Sequence, residues 1–310
     1  MVKLIRCLLP LLLLLTLSCS KSTAPERFTG TVYSLACLLI SGSPINTEHP
    51  VYITRSTSIE EFDAYQLFVS DATVKITDLD TAEEWNLTAI PDLTEMKIKF
   101  VDLAEHSIQA LHRYRLEATI PGYDKTIWAE TTVPLAATIV PDIYQHGGGY
   151  SLDEATMPNI VYDQIDQLYP LCLNTGSTSA SFNFLGEMYC LEDFSTSLEF
   201  TTPVMGIEHP TADMEDAYYA GGESIRRIKF MGKYSSLPQP GLEGNHLVIK
   251  DYRQAFVFFG RYRLSLYIVD DNYYQYTFSP EGYFHGGVHN ALGYFGSASG
   301  GRMYANVVKG

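Results

Sequence analysis

The chain is predicted to be mainly β: an N-terminal immunoglobulin- or transthyretin-like β-sandwich followed by a second β-rich domain with a little helix. Three observations predict this. Apolar and polar residues alternate with period two through most of the chain. The composition favours strands, with 22 Tyr, 15 Phe and 2 Trp. Short turn-forming clusters separate the alternating runs, leaving about seven strands between Arg27 and Pro134.

The first segment stands outside this pattern. In "CLLPLLLLLTLSCSKSTAPERF", Lys3 and Arg6 give a positive start, residues 8–17 an apolar run, and Ser18 a small residue before Cys19. That order is a secretion signal. The run is too short to cross a bilayer comfortably, since about 20 apolar residues span the roughly 30 Å hydrocarbon layer. Residues 1–18 are therefore expected to be a lipoprotein signal peptide, with Cys19 acylated and residues 19–27 a polar linker. The pattern departs from the usual lipoprotein signal in placing Thr16 where a leucine normally stands, three residues before the cysteine. Two or three acyl chains anchor stably, at about 0.8 kcal/mol per buried CH₂.

Residues 28–135 are expected to form the first sandwich. In "ATVKITD", Ala72, Val74 and Ile76 alternate with polar residues; in "EMKIKF", Met96, Ile98 and Phe100 do the same. "HRYRLEATI" sets Tyr114, Leu116, Ala118 and Ile120 on one side, and after the turn "PGYDK" the stretch "TIWAETTVP" sets Ile127, Ala129 and Val133 there. Prolines and a triple glycine in "PLAATIVPDIYQHGGGYS" then break the alternation, which places a boundary near residue 135. Residues 136–310 are expected to be the second β-rich domain. Its clearest strand, "RYRLSLYIV", puts Tyr262, Leu264, Leu266 and Ile268 on one face and Arg263, Ser265, Tyr267 and Val269 on the other. "VDDNYYQYTF" reads as a short helix capped by Asp270 or Asp271, and "GRMYANVV" as the last strand.

Charge and cysteines narrow the function. The formal charge is −15, and more negative once Lys3 and Arg6 leave with the leader, which argues against nucleic acid as a partner. An exported chain permits disulfides, and Cys172 with Cys190 would close a short loop; the alternative is buried thiols.

The stretches "VSDATVKITD", "YRLEATIPGYDKTIWAETTVP" and "HNALGYFGSASGGRMYANV" resemble, in order and spacing, a Bacteroidota family of lipoproteins catalogued as a domain of unknown function (DUF, number 4249). The resemblance covers nearly all of the mature chain. It implies an immunoglobulin-like first domain, a β-rich second domain, and an outer-membrane lipoprotein often encoded beside a TonB-dependent receptor. It implies no catalytic residues and no cofactor. It leaves the membrane face open, because "SKSTA" lacks the acidic residues that often follow the cysteine in surface-exported lipoproteins of that phylum.

Motifs with chemical potential are weak. "HGGG", residues 146–149, has the form of an oxyanion loop, yet the downstream "GSASG" carries Ala298 where a nucleophilic serine would stand. His285 and His289 are four apart, but the intervening glycines oppose the helix that a zinc pair needs. Asp270, Asp271 and Asn272 lack the alternating ligands of a calcium loop. The tyrosine-rich stretches nominate Tyr218, Tyr219, Tyr273, Tyr274 and Tyr283 as a binding surface, since tyrosine offers flat apolar area with a polar tip. The expectation is a non-enzymatic binding or accessory lipoprotein of a TonB-dependent transport system, held at the outer membrane by its lipid. An adhesin or envelope structural protein is the alternative, and a hydrolase on a β scaffold a third.

Overall fold

A computed structural model describes residues 31–57, 65–145, 149–220, 224–278 and 286–310. The expected signal peptide, the linker and Cys19 lie outside the described residues. Among those described, no helix is long and apolar enough to cross a membrane.

Seven strands come first, the number expected before Pro134: β1 (Tyr33–Ile40), β2 (Tyr52–Arg55), β3 (Thr73–Asp78), β4 (Glu83–Asp92), β5 (Lys97–Val101), β6 (Arg113–Thr119) and β7 (Ile127–Thr132). The rest of the chain supplies β8 (Thr138–Ile139), β9 (Asn159–Val161), α1 (Ile165–Leu168), β10 (Leu171–Asn174), β11 (Ser181–Cys190), α2 (Glu215–Tyr219) and β12 (Arg227–Ser235). It ends with β13 (Leu237–Pro238), β14 (Asn245–Ile249), β15 (Gly260–Val269), α3 (Asp271–Phe278), β16 (Val288–His289) and β17 (Leu292–Val308). The fold is mainly β. Met96 departs from its expected place: it precedes β5 with a φ of 53° and is exposed, while Ile98 and Phe100 point inward.

The strands form three sheets. A seven-stranded sheet runs β12-β11-β15-β17-β1-β2, with β9 alongside β17; a six-stranded sheet runs β16-β7-β6-β3-β4-β5; a four-stranded sheet runs β13-β14-β10-β8. The large sheet is the common layer. Alternation along its strands sends Leu35, Cys37, Leu39 and Phe295 inward to meet Val74, Ile76, Leu116 and Ala129 of the six-stranded sheet in one core. On β11, β15 and β17 the same alternation sends Phe184, Leu264, Leu266 and Met303 inward to meet Leu171, Leu173, Leu247 and Ile249 of the four-stranded sheet in a second core. Two sandwiches thus share one sheet.

The buried residues of the first core run from Leu35 to Val133 and include Phe295, and those of the second run from Ala137 to Val307. The two halves are nevertheless woven together, and Tyr33–Gly310 is one compact unit by contact. β1 pairs in parallel with β17, with Ala36 beside Tyr294 and Ile40 beside Ala298, and β16 pairs with β7. Between the cores, Ser297 and Ser299 are buried. The Ser297 hydroxyl donates to the Thr132 carbonyl at 3.0 Å, and the Ser299 hydroxyl accepts from the Ala137 N–H at 2.9 Å. These serines, which flank Ala298 in "GSASG", therefore stitch the two sandwiches together.

Candidate functional site

The other face of the large sheet carries a cavity of about 360 Å³, within the range of small-molecule sites. Its floor follows from strand register. Lys229, Glu187, Ser265 and Arg302 lie side by side across β12, β11, β15 and β17. The neighbouring row is Arg227, Tyr189, Arg263 and Tyr304, and on the other side comes Met231, Leu185, Tyr267 and Gly300. Because side chains of period two share a face, four strands present one polar surface here. The segment between β1 and β2 walls it with Glu48, His49 and Pro50, and α3 walls it with Tyr273.

One end of the cavity is apolar and the other cationic. At the apolar end Ile40, Leu185, Tyr267, Val269 and Ala298 form a small buried cluster, against which Tyr273 and Tyr274 of α3 pack. Tyr273 meets Tyr294 edge to face at 5.1 Å. Asp270 fixes the helix: its carboxylate accepts from the N–H groups of Tyr273 and Ser297, both at 3.1 Å, and from the Thr131 hydroxyl at 2.6 Å. The first of these is the N-cap bond expected from the sequence.

At the cationic end, Arg302 pairs with Glu48 and approaches His49 Nε2 at 3.4 Å. Glu187 lies 3.7 Å from Arg227 and 3.6 Å from Lys229, close enough for charge attraction but beyond hydrogen-bonding distance. Arg263 stacks over the Tyr189 ring at 4.8 Å and has no carboxylate partner among the described residues. The Nε atoms of Arg227, Arg263 and Arg302 are all buried without an acceptor among the described residues. The titrations follow this field. Burial pushes the His49 pKa down against the opposing charge of Glu48, and the positive charges of Arg302 and Arg263 add to the lowering, so the ring is held neutral. Burial opposes ionisation of Glu48, but the hydrogen bond and charge of Arg302 prevail and hold its carboxyl below the usual range. Ser265 and His49 both line the cavity, and no hydrogen bond joins them among the described residues.

A larger concavity, about 530 Å³, lies where the two sandwiches meet, between the end of β7 and the start of α3. Several of its polar groups are already engaged: Asp270 as above, Asn183 with Asp271 at 2.9 Å, and Asn272 with the carbonyls of Glu130 and Phe295. The cavity over the large sheet, where three arginine Nε atoms lack acceptors among the described residues, is the better candidate.

Residues 33–301 match the family model described as a domain of unknown function (DUF4249). The chain belongs to the DUF4249 family. No curated protein matches it. Among solved structures it is similar to a DUF4785 family protein from Legionella pneumophila, at 8% identity and a TM-score of 0.26, over 77% of this chain and 54% of that one. The chain thus spans about half the length of that protein.

The residues singled out from sequence fare unevenly in this DUF4249 chain. Tyr273 lines the cavity and Tyr274 packs beside it. Tyr218 is not surface at all: it is fully buried in the second core, where its hydroxyl donates to the Glu192 carbonyl at 2.6 Å. Tyr219 is 48% exposed, on α2, and its hydroxyl accepts from the Phe194 N–H. Tyr283, like His146 and His285, lies outside the described residues. His289 is stacked flat on Trp128 at 3.8 Å. The bridge between Cys172 and Cys190 is not formed, and the alternative of buried thiols holds: both are free and buried. Cys190 joins the second core, whereas Cys172 alternates with Leu171 and Leu173, which point into that core, and so faces the opposite side of β10.

The cationic residues were missed. A signal was present in "RYRLSLYIV", whose second face, Arg263, Ser265, Tyr267 and Val269, is too apolar for a solvated surface and too charged for a core.

Proposed function

We propose that this DUF4249 chain is a lipoprotein of the Bacteroidota outer membrane, anchored through Cys19, that binds a small ligand without chemical conversion as an accessory to a TonB-dependent transporter. The observation that carries this reading is the cavity on the free face of the shared sheet. Its charged and aromatic groups stand on paired strands, which hold them rigidly, as binding requires. The leader sequence supports the anchor. Confinement to a membrane would raise the concentration of bound ligand beside the transporter with no strong contact between the two proteins.

The test has two arms. Replacement of Cys19 by Ser should release the protein from the membrane fraction. A pull-down of the lipidated protein from detergent-solubilised membranes should retain a β-barrel transporter, and deletion of the gene should impair uptake while leaving adhesion intact. A protein still membrane-bound without Cys19, or one that loses adhesion and keeps uptake, would rule this reading out in favour of a structural or adhesive role.

A further inference from the structure

We infer that the cavity over the large sheet is an anion site: it takes a small organic acid whose oxyanion lies among Arg263, Arg302 and Lys229 while a ring or apolar body rests against Tyr267 and Tyr273. The inference deepens the reading of the cavity as a binding site and rests on that part of it alone, not on the transporter.

Charge is the first argument. Four cationic side chains line the cavity, Arg227, Lys229, Arg263 and Arg302, against two carboxylates, Glu48 and Glu187. An excess of positive charge in a chain of net charge −15 is not a consequence of composition. His49, held neutral, does not alter the balance at neutral pH.

Hydrogen bonding is the second. A guanidinium has five N–H donors and no acceptor, so three of them create a large demand for oxygen atoms. Glu187 is too far from Arg227 and Lys229 to meet it by direct hydrogen bonds. Glu48, the neutral His49 ring and the Tyr267 hydroxyl meet part of the demand of Arg302, and Arg263 has only the face of Tyr189. Buried donors without acceptors are rare in native proteins and call for a partner. A carboxylate or phosphate group supplies two or three acceptor oxygens and a compensating charge, and either can accept two parallel bonds from the arginine fork.

Shape is the third. The floor passes from the row of Arg302 and Ser265 to the adjacent row of Tyr267 and Leu185, so a ligand seated on the cations has its remaining atoms over apolar and aromatic surface. A volume of about 360 Å³ suits a single-ring molecule rather than a polymer.

The full mature protein in detergent can be titrated calorimetrically with D-glucuronate, glucose 6-phosphate and neutral D-glucose. One or both acids should bind, more weakly as salt is added, and glucose should not; which acid binds separates a carboxylate from a phosphate ligand. Arg263→Gln should weaken acid binding by about 10- to 100-fold, the effect of losing a charge-assisted hydrogen bond. Lys229→Gln, at a more exposed position, gives a second reading should the arginine variant not fold, and Lys125→Gln, outside the cavity, should leave binding unchanged. The inference would be overturned by neither acid binding at about 10 mM, or by acid binding that is indifferent to both cavity substitutions. Equal binding of glucose would also overturn it while leaving the cavity a binding site, and acid binding by a protein that captures no transporter would instead count against the transport reading alone.

Discussion

Asp270 holds α3 against both sandwiches, and its replacement gives a sharp test of how the cavity wall is built. In Asp270→Ala, the Tyr273 N–H loses its cap, at about 1 kcal/mol. The Ser297 N–H loses its acceptor at 3.1 Å, and an enclosed donor left bare costs about 1–3 kcal/mol. The Thr131 hydroxyl adds little, because it keeps Ser297 Oγ at 2.8 Å. The sum is about 2–4 kcal/mol, or a fall in Tm of roughly 4–10 °C for a body of this size. Asp270→Asn should behave differently. Its amide oxygen still accepts from Tyr273 and Ser297, so most of the loss is avoided. Burial raises the Asp270 pKa above its ordinary value, with the hydrogen bonds from Thr131, Ser297 and Tyr273 opposing it. A carboxyl whose folded pKa is raised contributes stability that is fully present below its unfolded value, near 3.9, and lost as pH rises through the folded value. Asparagine does not titrate. The Asn variant should therefore gain on the parent protein between about pH 4 and pH 7. Thermal unfolding by intrinsic fluorescence at both pH values, for all three proteins, measures this. An Asn variant as unstable as the Ala variant at neutral pH would show that the negative charge itself is required, and the reasoning would fail.

Two further outcomes follow from packing. A methyl group at Gly296 would stand 2.7 Å from Tyr273 Cβ and 2.9 Å from Asp270 Oδ1, so Gly296→Ala should cost about 1–3 kcal/mol and move the cavity-lining Tyr273, measured as lowered Tm and altered near-ultraviolet circular dichroism. Burial pushes up the thiol pKa values of Cys37 and Cys190 and that of Cys172 to about 12, so none should react with a thiol reagent in the native protein and all three should react in denaturant; a count lower by two would restore the Cys172–Cys190 bridge.

How far the fold could be read from sequence depended on whether a pattern was local. Val74 and Ile76, Tyr114 to Ala118 by alternation, and Tyr262 to Ile268 all point inward as their alternation requires, because period two is a property of each strand alone. The capping of α3 by Asp270 is local as well. Pairing is not local. Nothing in "YSLACLLI" indicates that it lies in parallel beside residues 292–298, some 250 positions away, so β1 and β2 read as parts of a closed first sandwich rather than as the edge of a shared sheet. The strand β17 was read only from its end. Its first half, "LGYFGSASGG", has four glycines and looks like a turn, yet small residues are needed there because α3 lies over Gly296 and the buried Ser297 and Ser299 bond across to the other sandwich.

The candidate site was harder to read for a related reason. Glu48, Glu187, Arg227, Arg263 and Arg302 come from five separate stretches, and each charge by itself reads as a solvated position. What distinguishes them is register: Glu187, Ser265 and Arg302 fall in one row only because β11, β15 and β17 pair as they do. Tyrosines were the more visible cue, and they pointed in two directions. Tyr273 is held at the cavity by the cap at Asp270, whereas Tyr218, which precedes Tyr219 in an equally tyrosine-rich stretch, is turned inward to bond Glu192 and pack on Phe258. An aromatic ring with a hydroxyl tip satisfies either environment, so its frequency does not tell the two apart. A cluster of guanidiniums is less ambiguous, because a core does not tolerate them without partners and a solvated surface does not bury their Nε atoms. The half-buried arginines, rather than the abundant tyrosines, are therefore the feature of this chain that most directly points to a ligand.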